Sequence, residues 1–262
     1  MSSRAAVLGS PITHSRSPQL HLAAYRALGL ADWTYERIEC TADDLPPLVA
    51  GFGPEWVGLS VTMPGKFAAL RFAGERTARA ELVGSANTLV RTATGWLADN
   101  TDVDGVTGAL GRTTTVETAA VLGAGGTAPA AVVALAELGA RDVSIVARNR
   151  DKADALVELG ARLGVDAHWV ELGTTIVGLD VVVSTVPADV GGQYADTVDT
   201  AAVLLDAIYD PWPTPLARAV EARGGRVVSG LQMLLHQAFA QVERFTGRPA
   251  PKEAMIAALG RT

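Results

Sequence analysis

Short apolar runs alternate along this chain with longer stretches in which apolar positions recur every three or four residues. The first kind predicts strands and the second predicts helices. Ala5 to Leu8 reads as a strand that stops at the turn cluster Gly9-Ser10-Pro11. Leu20, Ala23, Ala24, Ala27 and Leu28 share one helical face over Pro18 to Leu28, with Ser17 set as N-cap and Pro18 at the first helical position. Trp33 to Ile38 alternates as a strand does, and Thr41-Ala42-Asp43-Asp44 opens a helix with acids in its first turn. Val57 to Val61 predicts a third strand, followed by a helix from Pro64 through Phe72. Thr88 to Val90 and Trp96 to Ala98 form a hairpin around Thr94-Gly95. This alternation predicts a mostly parallel sheet with helices on both faces.

From about residue 118 the alternation becomes cleaner. Strands are predicted at Thr118–Leu122, Asp142–Ala147, Asp166–Val170, Asp180–Ser184, Val203–Asp206 and Arg226–Val228. Helices lie between them, notably at Thr127–Leu138, Asp151–Leu163 and Pro215–Ala222. Six strands are the count of a dinucleotide-binding fold. An amphipathic helix over Leu231 to Phe245 ends at Gly247, and Pro251 to Leu259 forms a last one. No internal repeat, charge block or low-complexity linker marks a boundary.

Composition narrows the function classes. A chain of 262 residues, 48% of them hydrophobic, suffices for one large domain or two modest ones. Lys and Arg total 22 against 28 Asp and Glu, and a net charge of -6 argues against a nucleic-acid surface. With Cys40 as the single cysteine, an intramolecular disulfide and a Cys-rich metal site are both excluded. His14, His21, His168 and His236 show no H-x-x-x-H spacing, so no metal site is expected. The N-terminal Met1-Ser2-Ser3-Arg4 lacks a signal-peptide apolar region. The longest uncharged stretch, Thr118 to Ala136, carries Gly123, Gly125, Gly126 and Pro129 in its middle, which fits strand, turn and helix better than a membrane span. The expectation is a soluble cytoplasmic protein with no nucleic-acid or membrane partner. Monomer and homodimer both fit the sequence.

Gly123-Ala124-Gly125-Gly126-Thr127-Ala128 follows an apolar strand and precedes an Ala/Val/Leu helix, matching G-x-G-x-x-G/A with Ala128 in the third small position. Such a loop turns tightly and lets a pyrophosphate approach the backbone at a helix N-terminus. The next strand ends at Ala147, and the first charged residue after it is Arg148 rather than an acid. A basic residue there favours the 2′-phosphate of NADP, whereas an acid would hold the 2′-hydroxyl of NAD.

The first hundred residues hold three further polar segments. Gly9 to Pro18 puts hydroxyls just before a helix, a cradle suited to a carboxylate, although Ser17 alone reads equally as a cap. Lys66 lies in the first turn of a helix, where acids are electrostatically preferred. Asp99-Asn100-Thr101-Asp102 sits where the first domain gives way to the second, a usual place for an interdomain cleft.

Together these segments resemble the shikimate dehydrogenase family over nearly the whole chain. The family's G-x-P-x-x-H-S-x-S-P resembles Gly9 to Pro18, its V-T-x-P-x-K resembles Val61 to Lys66, and its G-A-x-N-T resembles Gly84-Ser85-Ala86-Asn87-Thr88. Its N-T-D resembles Asn100-Thr101-Asp102, and the G-x-G-G loop matches Gly123 to Gly126. Further on, D-x-x-Y-x-P with T-P-L matches Asp206, Tyr209, Pro211 and Thr214-Pro215-Leu216. Near the end, G-x-x-M-L-x-x-Q-A matches Gly230, Met233, Leu234, Gln237 and Ala238.

The resemblance implies an α/β protein: a substrate domain over 1–103, a doubly wound NADP-binding Rossmann-type domain over 104–237, and helices over 238–262 packing back on the first, with the active site in the cleft. It implies NADP-linked reduction of 3-dehydroshikimate to shikimate on the route to aromatic amino acids. Ser15, Ser17 and Tyr209 would then hold the substrate carboxylate. Ser60, Thr62, Lys66, Asn87, Asp102 and Gln237 would hold the ring hydroxyls. Lys66 and Asp102 would form the catalytic pair, either of them able to carry the proton. Gly123, Ala124, Gly125, Gly126, Thr127, Thr185 and Met233 would line the cofactor. Ala207 and Gly230 would border the nicotinamide, and Arg148, Asn149 and Lys152 would meet the 2′-phosphate.

The chain departs from the family at Ser60, where Asn is usual beside V-T-x-P, at Leu22 after His21, and at Ala147 before Arg148. Three rivals make different demands. An NAD-linked quinate/shikimate enzyme calls for an acid at the second strand end, and a methylenetetrahydrofolate enzyme would lack the serine motif and N-T-D. A non-catalytic NADP sensor has no use for Lys66, Asp102 and the two serines together.

Overall fold

In the computed structural model, which describes residues 3–111, 115–198 and 201–260, the first apolar run extends to β1 (Ser3–Gly9). Met1 and Ser2 of the N-terminal stretch considered above lie outside the described residues. Through α1 (Ser17–Ala27) the chain reaches β2 (Trp33–Glu39), and through α2 (Leu45–Ala50) it reaches β3 (Trp56–Val61). β1 lies between β2 and β3, parallel to both. α3 (Lys66–Phe72), β4 (Glu75–Arg76) and α4 (Ala78–Val83) then lead to β5 (Thr88–Arg91) and β6 (Trp96–Asp99).

The first sheet has the order β2-β1-β3-β5-β6-β4, with β5 antiparallel to both β3 and β6. β6 and β4 run with β1, β2 and β3, so the sheet is mostly parallel as expected, with β5 alone reversed. The link from β5 to β6 is a hairpin, far shorter than the dozen or so residues a parallel crossover needs. Ala6, Leu8, Leu59, Val61, Leu89 and Ala98 form its core with Trp56 and Trp96.

α5 (Asp102–Leu110) opens the second series, followed by β7 (Thr118–Leu122), α6 (Ala128–Glu137), β8 (Asp142–Ala147), α7 (Arg150–Arg162) and β9 (Asp166–Glu171). Next come β10 (Val181–Ser184), α8 (Ala188–Gln193), a short 3-10 turn at Ala195–Val198, β11 (Val203–Asp206), α9 (Pro215–Ala222) and β12 (Arg226–Ser229). All six strands are parallel, in the order β12-β11-β10-β7-β8-β9. That is the doubly wound dinucleotide-binding order, which reverses between β7 and β10. β7, β8 and β10 are almost wholly buried, as strands covered on both faces must be.

α10 (Gly230–Thr246) and α11 (Lys252–Ala258) complete the chain. It divides into Met1–Thr101 with Leu235–Thr262, and Asp102–Leu234. These limits differ by two or three residues from the expected 103/104 and 237/238. Asp102 and Val103 open α5, which packs on α6, so they fall in the second unit. Gly58 in β3 lets α10 lie on the first sheet, because a Cβ there would overlap the Phe245 ring. α11 packs on α1, where Arg16 Nη2 donates to the Leu259 carbonyl at 2.9 Å. Among the described residues, no helix is long and apolar enough to cross a membrane.

Candidate active site

In the second unit, two glycines of the loop after β7 do different things. Gly123 has φ +103°, a conformation that disfavours a side chain, and a Cβ there would lie 2.7 Å from Thr185 Oγ1. Thr185, just past β10, donates to the Leu122 carbonyl through its N–H at 2.8 Å and its hydroxyl at 2.9 Å. It thereby ties the ends of β7 and β10 at the switch point. A Cβ on Gly125 would instead meet nothing within 4 Å, and its φ is not positive. Neither strain nor packing within the unit asks for glycine at 125, so the open approach suits an incoming group. A pyrophosphate in front of the α6 N-terminus fits this loop.

Past β8, Arg148 is exposed and forms no ion pair among the described residues. Arg150 behaves differently: it pairs with Asp154 at 3.9 Å and lies over the Trp169 ring at 5.1 Å. Asn149 caps α7, its Oδ1 accepting the Lys152 N–H at 3.0 Å. Asp206 at the end of β11 accepts from Thr214 Oγ1 at 2.7 Å and from the Ile208 N–H at 3.2 Å. Burial pushes this carboxyl above its usual range, and those two donors offset part of the rise. Thr214 also caps α9 by accepting the Ala217 N–H, so the segment carrying Ala207 and Tyr209 is pinned at both ends. A Cβ on Gly230 would overlap the Ala207 carbonyl, which explains the glycine at the start of α10.

In the first unit, the turns after β1 and β3 are bonded together. Ser10 N–H donates to the Met63 carbonyl at 3.0 Å, and Gly9 leaves room for the Thr62 methyl. The helix N-cap is Arg16, and Ser17 is already inside α1, so Ser17 is not the cap that the periodicity suggests. Its carbonyl accepts from His21 Nδ1 at 2.9 Å. Burial holds the His21 ring at a pKa of about 4, with that hydrogen bond acting the other way. The ring is neutral at pH 7 and stacks on Tyr35 at 4.0 Å.

Lys66 is the first residue of α3 because residues 62–65 form a turn, so the helix starts two residues later than Pro64. It is only 9% exposed. A buried cation at a helix N-terminus opposes both desolvation and the macrodipole, which points to a use beyond folding. Its carbonyl accepts the Ala86 N–H at 3.0 Å, setting Asn87 beside the same turn.

Asn87 lies at the centre of a buried polar network. Its Oδ1 accepts from the Thr101 N–H at 2.8 Å and from Thr88 Oγ1 at 2.7 Å. Its Nδ2 donates to Thr101 Oγ1 at 3.0 Å and to Gln237 Oε1 at 3.3 Å. Gln241 Nε2 donates to the Asn87 carbonyl at 3.2 Å and to Thr88 Oγ1 at 3.0 Å. Ser60 donates to Gln241 Oε1 at 2.7 Å and accepts from the Tyr35 hydroxyl at 2.6 Å.

Known proteins resemble this chain in sequence and fold. Residues 7–89 match the profile of the shikimate dehydrogenase substrate binding domain, 109–190 that of shikimate / quinate 5-dehydrogenase, and 230–259 that of the shikimate 5'-dehydrogenase C-terminal domain. A shikimate dehydrogenase (NADP(+)) of Microcystis aeruginosa is 34% identical over 97% of this chain and 94% of its own. The chain belongs to the shikimate dehydrogenase family. Among solved structures, the Mycobacterium tuberculosis shikimate dehydrogenase is 69% identical with a TM-score of 0.93, covering 98% of both chains. The shikimate 5-dehydrogenase of Thermus thermophilus, solved in complex with NADP(H) and shikimate, is 29% identical with a TM-score of 0.83 over 98% of both chains.

The residues that the family pattern singles out fall into distinct settings. In the first unit, Asn87 and Gln237 meet directly, while Ser15 Oγ lies 3.4 Å from the Ser17 N–H. Thr62 is half-buried just past β3, and Lys66 opens the next helix. In the second unit, Asp102 is 5% exposed and opens α5, a place that suits an acid. Ser60, read as a substrate contact, has its hydroxyl engaged between Tyr35 and Gln241. Asn149, read as a phosphate contact, has its Oδ1 engaged as a cap. Thr101, Gln241 and Tyr35 are not among the expected site residues. Gln241 stands one helical turn after Gln237, and this pair on one face is the signal in the sequence that points to it.

Proposed function

We propose that this chain catalyses the NADP-linked, reversible reduction of 3-dehydroshikimate to shikimate, in the cytoplasm, on the route to chorismate and the aromatic amino acids. The observation that carries this reading is the buried polar set Lys66, Asn87, Gln237 and Asp102, each 9% exposed or less. Such groups are unfavourable in an interior unless they are paired or used.

NADPH, when bound, supplies the hydride that adds to the substrate's carbonyl carbon. Lys66 places a cation and a proton at the oxygen, where negative charge develops. Asp102 is the second group of the proposed pair, able like Lys66 to carry the proton. Asn87 and Gln237 orient the ring hydroxyls together with Thr62. Ser15, Ser17 and Tyr209 receive the carboxylate. On the cofactor side, Gly123, Ala124, Gly125, Gly126 and Thr127 take the pyrophosphate, and Arg148 and Lys152 take the 2′-phosphate. Thr185, Ala207, Gly230 and Met233 line the nicotinamide half.

The direct test follows absorbance at the nicotinamide band with shikimate and then quinate, each with NADP and with NAD. Turnover of shikimate with NADP supports the reading; binding of NADP without turnover of either alcohol would leave the sensor reading standing.

Arg148 carries the cofactor preference. Its exposed guanidinium has no competing carboxylate, so Arg148→Ala should raise the NADP KM by about tenfold or more, as loss of a charged hydrogen bond does. NAD use should barely change. Equal use of both cofactors by the parent would overturn the assignment.

The carboxylate cradle makes a separate prediction. Ser15→Ala, Ser17→Ala and Tyr209→Phe should each weaken shikimate binding by about 1.5–3 kcal/mol. Cofactor Kd is the internal control, since the glycine loop lies in the other unit from both serines. Equal losses of substrate and cofactor affinity would mean that these residues only support the fold.

A further inference from the structure

We propose that Gln241 is a positioning residue for the substrate-binding amides: a one-way chain of hydrogen bonds from Tyr35 through Ser60 and Gln241 fixes which way Asn87 and Gln237 face. This rests on the reading of Asn87 and Gln237 as substrate contacts. It also gives Ser60 a different task from the direct contact that the family pattern implies.

The direction follows from counting protons. The Tyr35 hydroxyl donates to Ser60 Oγ, and burial pushes its pKa well above the usual range, so it stays a donor. Ser60 then has one proton, which goes to Gln241 Oε1. With Oε1 accepting, Gln241 must present Nε2 to the Asn87 carbonyl and Thr88 Oγ1. Thr88 accepts from Gln241 and so sends its own proton to Asn87 Oδ1. The Thr101 N–H, which can only donate, meets the same oxygen. Asn87 Nδ2 is thereby turned toward Gln237 Oε1.

An amide side chain has two orientations of nearly equal shape, and in a buried site its partners choose between them. Flipping Gln241 would set its NH2 against the Ser60 proton and its carbonyl against the Asn87 carbonyl. Flipping Asn87 would set its NH2 against the Thr101 N–H. Every member of the chain is buried, so water cannot repair a mismatch cheaply. Gln241, from α10, carries the link on from Ser60 to the Asn87 carbonyl and Thr88. Donor geometry at the two amides is therefore set from Tyr35, whose hydroxyl also meets Ser17.

Steady-state kinetics with shikimate and NADP on the parent, Gln241→Met, Ser60→Ala and the double variant test this. Gln241→Met keeps the volume and removes both polar ends. It should raise the shikimate KM by about tenfold, the range of one hydrogen bond, and leave the NADP KM within about twofold. Ser60→Ala should act in the same direction and less strongly. Since both residues act along one chain, the double variant should be no worse than Gln241→Met. An unchanged shikimate KM in folded Gln241→Met would overturn the proposal. So would additive effects, because Ser60 would then act on the substrate independently. If Gln241→Met fails to fold, Ser60→Ala, which removes the donor to Gln241 Oε1, should still raise the shikimate KM by about two- to threefold; no change there overturns the proposal equally. A parent that does not oxidise shikimate at all would overturn the functional reading beneath it, an outcome distinct from a normal parent with indifferent variants.

Discussion

Lys66→Met is expected to lower kcat by about 10²–10⁴-fold while the shikimate KM changes little. The reason lies in when the lysine is needed. A carbonyl oxygen in the ground state accepts an ordinary hydrogen bond, but the alkoxide that forms on hydride addition needs full charge neutralisation and a proton. A group that acts mainly on that second species affects the barrier and not the binding. Methionine retains much of the side-chain volume, so packing at this buried position is kept while the ammonium is lost. Asp102→Asn should lower kcat as well, and the double variant should be little worse than the worse single variant if the proposed pair acts on one proton. Circular dichroism confirms folding in each case. A folded Lys66→Met enzyme that turns over shikimate within about threefold of the parent would remove Lys66 from the mechanism.

Legibility in the sequence follows how local the deciding interactions are. The strands of the second unit announce themselves, since β7, β8 and β10 are apolar on both faces and need no alternation to be found. The loop at Gly123 is visible for the same reason: its strand, glycines and helix are contiguous. In the first unit, β4 is an exposed Glu75-Arg76 pair with no apolar signal, and α4 is too short to show a face. The hairpin that reverses β5 is legible, but the strand order β2-β1-β3-β5-β6-β4 depends on which strands become neighbours, which hydrophobic periodicity does not encode. Lys66 falls near a helix start in both sequence and structure, but its burial comes from tertiary packing. Ser60 shows the limit most clearly. Its partner Gln241 lies 181 residues further along, so no local pattern at Ser60 could reveal that its proton is engaged there.

Asp99 belongs in the sequence to the polar run Asp99-Asn100-Thr101-Asp102 at the domain junction, yet replacing it should have the largest effect on stability. Its carboxylate is fully buried at the end of β6 and receives Arg79 Nη2 at 2.7 Å, Thr77 Oγ1 at 2.7 Å and an ion pair from Arg244. Thr77 also caps α4, so one carboxylate joins β6 to α4 and α10. Burial alone would raise its pKa, but the hydrogen bonds from Arg79 and Thr77 and the charges of Arg79 and Arg244 outweigh it and hold the carboxyl below its usual range. A depressed carboxyl stabilises the folded state above the unfolded pKa of about 4, and that contribution fades as pH falls through the folded value. Removing one partner from a buried pair typically costs about 3–5 kcal/mol. Arg79 and Arg244 are 25% and 36% exposed, so water can partly re-solvate them. Asp99→Asn should therefore lose about 3 kcal/mol at pH 7, the lower end of that range. Urea unfolding at a series of pH values checks both magnitude and sign. The gap between parent and variant should narrow below about pH 4, as the carboxyl of the unfolded chain protonates, and close as pH falls through the folded value. A gap of less than about 0.5 kcal/mol at pH 7 would mean that desolvation cancels the pairing. A gap that widens with acid would mean that the carboxyl is raised rather than lowered, and that the two arginines do not govern it.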